Sequence, residues 1–352
     1  LLVVDPVQAL LSGSLEVEES VGNFARMHGK ALAVVFNERL DSRAILSERG
    51  ATFSDAVEYC RTALPDRAAV PSLTADLSDP SSLHPVVALI EKAKPSADAP
   101  PPLLPFLKPR GAVILIIPMD EETPSGRLLR PQETAMEHLL RMMIPVGLYR
   151  PDLRLGRSSS ESLSSGERKK FEAFLSAFSG GSGVQLVLTD SQAIDLMNDW
   201  VPADIPLTTF SIMMINQTSG GDLALFAEGT KALSRLRAGD RVLIAEACNH
   251  DRMSEDIGTV KIPAKLEAAV PGVVVDHAFG REFPDPAALS RYSVAVHCGG
   301  CMISRQAAAS RVRRLAEAGV PVTNYGLALS WFEGPEVLER VLEPWTGRRD
   351  GS

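Results

Sequence analysis

Residues 292–301 read YSVAVHCGGC, and the reading of this stretch decides the fold. A short apolar run closes on a histidine and gives way to two cysteines spaced by two glycines. Such a run, bounded by turn residues, fits a strand buried on both faces of a parallel sheet. After the glycines, Ser304 is placed to cap a helix running to about Ala318. Ala308, Val312 and Leu315 share one face of it, and Gly319 and Pro321 end it. The unit is therefore strand, turn, helix.

The same alternation recurs in both directions. RVLIAEA (241–247), GVVVDHA (272–278) and PVTNYG (321–326) read as further strands separated by helical patterns. Upstream, GAVILIIP (111–118) and VQLVLTD (184–190) read likewise, with a helix around 133–143. LLVVD (1–5) and ALAVVF (31–36) precede helices over 17–27 and 83–94. The fold class is α/β: three segments built on mostly parallel sheets with flanking helices. The segments are residues 1–94, 111–200 and 205–346. A Pro-rich stretch, 95–110, reads as the linker between the first two, because proline continues neither a helix nor a central strand. A Ser-rich insertion, GRSSSESLSSG (156–166), reads as disordered, with a helix from 167 to 178. No internal repeat stands out.

The composition excludes several classes. The chain has 352 residues and a net charge of −8, without a basic stripe, so nucleic acid is not an expected partner. No apolar run approaches the roughly 20 residues that cross a bilayer. Four cysteines are too few for a disulfide scaffold and fit a reducing compartment. A soluble, intracellular protein is expected. The chain starts at LLVVDP without Met, so the natural N-terminus is expected upstream.

Cys248 follows RVLIAEA and Cys298 follows YSVAVH, so both stand where a buried strand ends. In an open parallel sheet the carboxyl ends of strands line the ligand crevice. If the two strands are neighbours, Cys248, His250, His297, Cys298 and Cys301 converge. Soft thiolates select iron–sulfur clusters, zinc or Cu(I). Gly299 and Gly300 let backbone N–H groups approach, and the helix after Ser304 points its positive end at the same place. A redox pair explains Cys298 and Cys301 but not Cys248; a structural zinc of the Cys3His type remains open. Each histidine is equally a ligand or a residue supporting one. His28, His84, His138 and His277 read as ordinary surface or core residues, and Cys60 as a small buried side chain.

The pattern C-x-H, a gap of 46 residues, then H-C-x-x-C resembles the signature of the [FeFe]-hydrogenase maturation GTPases, the HydF-type scaffolds. Residues 235–263, VHCGGCMISR (296–305) and PVTNYGLAL (321–329) are similar to that family's cluster domain. LIIPMDEETPSGRLLRPQE (115–133) and LTDSQ (188–192) are similar to its dimerisation domain, so the resemblance covers residue 111 to the C-terminus. It implies a [4Fe-4S] cluster on Cys248, Cys298 and Cys301, with one iron open to an exchangeable ligand such as His250, His297 or Glu255. It further implies a scaffold that carries a di-iron precursor of the hydrogenase active site to apo-[FeFe]-hydrogenase. The implied partners are that enzyme, the radical-SAM maturation enzymes of the pathway, and a second copy of the chain. AMEHLLRMM (135–143) is the candidate dimer surface. The compartment implied is anoxic: plastid stroma for an algal member, which the Pro- and Ser-rich spacers suggest, and cytoplasm otherwise.

The N-terminal segment departs from the family. A phosphate loop ends in G-K-[ST], and HGKAL (28–32) lacks both the first glycine and the hydroxyl residue. NERLD (37–41) resembles the guanine-specificity N-K-x-D motif, with Glu38 replacing Lys and Asp41 one residue late. VPSLTADLSD (70–79) resembles the strand and loop that follow. Residues 1–94 thus resemble the back half of a GTPase domain. This chain is not expected to hydrolyse GTP by itself, and without the phosphate loop GTP is not an expected ligand of it. A longer chain with an intact loop upstream would be a GTP-hydrolysing maturation factor.

Overall fold

The computed structural model describes residues 1–27, 30–64, 70–93, 101–119, 128–178, 180–247, 256–280 and 283–347. The chain divides into two units, Leu1–Ala99 and Pro100–Ser352. Every strand pairing among the described residues is parallel, and helices fill the connections.

The first unit holds a three-stranded sheet, β1 (Leu2–Val4), β2 (Val34–Asn37) and β3 (Ser72–Ala75), in that spatial order. Val4, Val34 and Phe36 are buried on it with Cys60, which comes from the helix Phe53–Arg61.

The second unit holds two four-stranded sheets. One contains β4 (Ala112–Ile116), β5 (Val146–Tyr149), β6 (Val184–Thr189) and β7 (Leu207–Thr209), in the order β5-β4-β6-β7. The other contains β8 (Arg241–Glu246), β9 (Val274–Phe279), β10 (Val294–His297) and β11 (Val322–Asn324), in the order β9-β8-β10-β11. Counted along the chain, both orders are second-first-third-fourth. The likeness continues past the last strand: β7 runs straight into the helix Phe210–Thr218 and β11 into the helix Tyr325–Glu333. The second unit therefore repeats one topology, although no repeat stands out in the sequence. IPLTTF (205–210) and VPVTNY (320–325) are its visible trace.

The two sheets share an apolar core in which Ile114, Val187 and Phe171 join Ile212, Phe226, Val242, Ile244, Val296 and Leu327. The last helix, Pro335–Thr346, locks them together. Arg340 donates to the carbonyls of Val201 and Pro202, each at 2.8 Å, and the Trp345 Nε1–H donates to Thr208 Oγ1 at 2.9 Å. The helix Leu223–Leu233 rides so close to β11 that a Cβ at Gly229 would collide with the Val322 carbonyl.

Two sequence expectations change. The Ser-rich stretch is helical from Glu161 to Ser176 rather than disordered. Its entry is tied down by Arg157, which donates to both Asp195 oxygens at 2.7 and 2.9 Å, and by buried Glu167, which accepts the Asp152 N–H at 3.0 Å. Residues 101–110 carry no regular element, as their prolines dictate, but Leu103 and Leu104 are buried with Leu115, Leu139 and Met213. No described helix is long and apolar enough to cross a membrane.

Candidate metal centre

β8 and β10 are direct neighbours, with Ala245 in register with His297. They are the first and third strands of their sheet, so the strand order reverses between them, and open α/β sheets bind ligands at the carboxyl ends of strands at such a point. Cys298 stands at that switch point, and its N–H donates to the Ala245 carbonyl at 3.0 Å. Ala247, the residue before Cys248, donates its N–H to Cys298 Sγ at 3.1 Å, and Gly300 donates to the same sulfur at 3.4 Å. Two backbone donors on one sulfur favour the thiolate over the thiol, since hydrogen bonds to a charged acceptor are the stronger ones.

The turn is built for this approach. Gly300 has φ +70°, a left-handed conformation that side chains with a Cβ rarely adopt. The Thr218 hydroxyl donates to the Met214 carbonyl at 2.9 Å and lies 3.3 Å from the Gly299 carbonyl oxygen, so it packs against the turn. Ser304 caps the helix Arg305–Glu317 by accepting the Ala307 N–H at 3.2 Å, so the cap stands three residues after Cys301 and the helix begins one residue later. Cys298 is 7% exposed and Cys301 half-buried, and neither is in a disulfide.

His297 is 1% exposed. Its Nδ1 lies 2.7 Å from the Cys298 carbonyl oxygen and its Nε2 lies 3.5 Å from Arg311 Nη1. Arg311 sits on the buried face of its helix with Ala308 and Leu315, where the sequence pattern suggests Val312. An arginine in register with two apolar residues is the signal that marks it. Its other nitrogen, Nη2, donates to the Gly280 carbonyl, and its guanidinium lies 5.0 Å from the Phe283 ring centroid. Asn324 Nδ2 donates to the His297 carbonyl at 3.2 Å.

Of the sequence-predicted residues, His297, Cys298 and Cys301 are thus brought to one strand end. Cys248, His250 and Glu255 lie outside the described residues. Among the described residues no three His, Cys, Asp or Glu side chains form a metal-binding group. Cys60 is buried in the first unit, where desolvation pushes its thiol up to about 12, with the charges of Glu18 and Asp5 adding to the effect. His277 Nε2 lies 3.2 Å from the Gly258 carbonyl and its ring stacks on Phe279. In NERLD, Glu38 is paired with Arg43 at 2.6 Å, and the Asn37 side-chain carbonyl accepts the Leu77 N–H at 3.0 Å.

Fold and site together define a parallel α/β protein with a cysteine-bearing turn at a sheet switch point. Residues 164–218 match the hydrogen maturase F dimerization domain and residues 224–344 the hydrogen maturase F tetramerization domain. The two matches together span half of the chain, which belongs to the hydrogen maturase F family of hydrogenase maturation proteins. No curated protein matches it.

Proposed function

We infer that this chain is a scaffold and carrier in assembly of the [FeFe]-hydrogenase active-site cluster. The observation that carries the reading is the Ala247 N–H on the Cys298 sulfur: it sets the residue next to Cys248 against the sulfur of the CGGC turn. The residues present fit an iron–sulfur cluster. Cys298 already receives two N–H groups, neither Gly299 nor Gly300 has a side chain to obstruct the turn, and cluster-bound thiolates are tuned by such donors. Cys248, Cys298 and Cys301 hold a [4Fe-4S] cluster in this reading, and three thiolates for four irons leave one iron to an exchangeable ligand such as His250 or Glu255. The cargo is a di-iron precursor, delivered to apo-[FeFe]-hydrogenase after the radical-SAM maturation enzymes have supplied it.

Anoxic reconstitution followed by metal and sulfide analysis tests the reading. Four irons and four sulfides per chain, with a visible charge-transfer band, are expected. A colourless protein with a single zinc would contradict it.

A further inference from the structure

We propose that Arg311 and His297 are a positioning pair that clamps the cysteine turn, and that His297 is not a ligand. The inference rests on the cluster reading above and concerns how the chain holds its turn. Guanidinium groups only donate, so the Arg311 contact leaves His297 Nε2 as acceptor. The imidazole proton then sits on Nδ1 and is donated to the Cys298 carbonyl at 2.7 Å. Both ring nitrogens are thereby engaged within the protein. The fixed Cys298 carbonyl orients the peptide that leads to Gly299 and Gly300, and hence the N–H that reaches the Cys298 sulfur. Arg311 is itself anchored, through Gly280 at the end of β9 and through the Phe283 ring. The chain from β9 to ligand runs Gly280, Arg311, His297, Cys298.

The sister sheet shows that the backbone does not need this clamp to fold. β4 and β6 occupy the places of β8 and β10, and the Asp190 N–H donates to the Ile116 carbonyl at 3.2 Å, as Cys298 does to Ala245. The residue in the place of His297 is Thr189. The same strand end is made without an imidazole, so the ring and its arginine go with the cysteines rather than with the topology. The buried Arg311 also places a positive charge 3.5 Å from the ring of His297, the residue before Cys298, and that charge favours an anionic turn in the cluster reading.

The test compares wild type with Arg311→Lys, Arg311→Met and His297→Gln after anoxic reconstitution. The readouts are iron per chain, the rate of iron extraction by a chelator, and the nitrogen couplings in pulsed EPR of the reduced cluster. Partners one step behind a metal ligand change affinity by about 10- to 100-fold. Arg311→Met is therefore expected to fill to the wild-type iron count and lose iron on the order of tenfold faster. Arg311→Lys keeps the charge without the fork and is expected to fall between the two. His297→Gln is expected to leave any strong nitrogen coupling unchanged. Circular dichroism and melting of the metal-free variants check folding, and Arg311→Lys carries the test if Arg311→Met does not fold. Wild-type extraction rates in both arginine variants, or a strong coupling lost in His297→Gln, would overturn the clamp. A wild-type protein that holds no cluster would instead overturn the cluster reading, and the clamp with it.

Discussion

Ala247 and Cys298 are 51 residues apart in sequence and 3.1 Å apart as donor and sulfur. The contact exists because β8 and β10 are adjacent although β9 intervenes in the chain, an adjacency that follows from the second-first-third-fourth order. Strand order thus carries the site's assembly, and local sequence supplies only its two halves.

The close approach of the helix Leu223–Leu233 to β11 makes Gly229 intolerant of any side chain. The atom in the way is backbone, which cannot rotate aside. Gly229→Ala is expected to cost about 1–3 kcal/mol, the range for overpacking, read as a lower urea midpoint. An unchanged midpoint would mean that the helix can lift off β11 freely.

The open edge of the β5-β4-β6-β7 sheet is the proposed surface for a second copy of the chain. Leu140, Met143 and Leu148 are 62%, 90% and 51% exposed beside edge strand β5, and the matched dimerization segment contributes β6 and β7 to the same sheet. An exposed edge strand is a template for pairing, and charge blocks it. The double variant Leu140→Asp, Leu148→Lys is expected to sediment as a smaller species than wild type. Identical sedimentation at micromolar concentration would place the contact elsewhere.

Cys60 and Cys301 are expected to differ in reactivity. With its thiol raised to about 12, Cys60 offers almost no thiolate at pH 8, whereas Cys301 is half-exposed. Mass-mapped alkylation of the native, metal-free protein should mark Cys301 and spare Cys60. Equal labelling would show that the first unit's core opens readily.

Asp276 on β9 gives a pH dependence of known sign. Burial works against its charge, but hydrogen bonds from Arg241 (2.6 Å) and Tyr292 and the charges of Arg241 and Arg291 outweigh it, so the carboxyl lies below the ordinary range. A carboxylate depressed in the folded state contributes stability that is complete above the unfolded pKa of about 4 and is lost as pH falls through the lower folded value. The pair is partly exposed, so its contribution stays under about 1 kcal/mol. The stability gap between wild type and Asp276→Asn is expected to be flat from pH 7 to 5 and to shrink below pH 4. A gap that widens in acid would contradict this.

Much of the fold is legible in the sequence because parallel strands buried on both faces read as plain apolar runs. RVLIAEA, YSVAVH and GAVILIIP all lie on strands. The cap at Ser304 and the helix after it follow from local chemistry. What stayed hidden is long-range. The duplicated topology survives with almost no shared residues beyond the entries to β7 and β11. The Ser-rich stretch reads as loop by composition, while the ion pair that ties down its Arg157 comes from Asp195, 38 residues further along the chain. In the site, His297 and the two cysteines of the turn are visible as types. Arg311 is concealed, because its role depends on β9 placing Gly280 behind it.

Delivery of the cargo tests the account most directly. The chain, loaded anoxically with the di-iron precursor by the maturation enzymes and then repurified, is mixed with apo-[FeFe]-hydrogenase, and hydrogen evolution is followed. Wild type is expected to activate the enzyme, and Cys298→Ala to leave it at the level of apo-hydrogenase alone. Equal activation by both proteins would contradict the account, because the cysteine turn would then have no part in carrying the precursor.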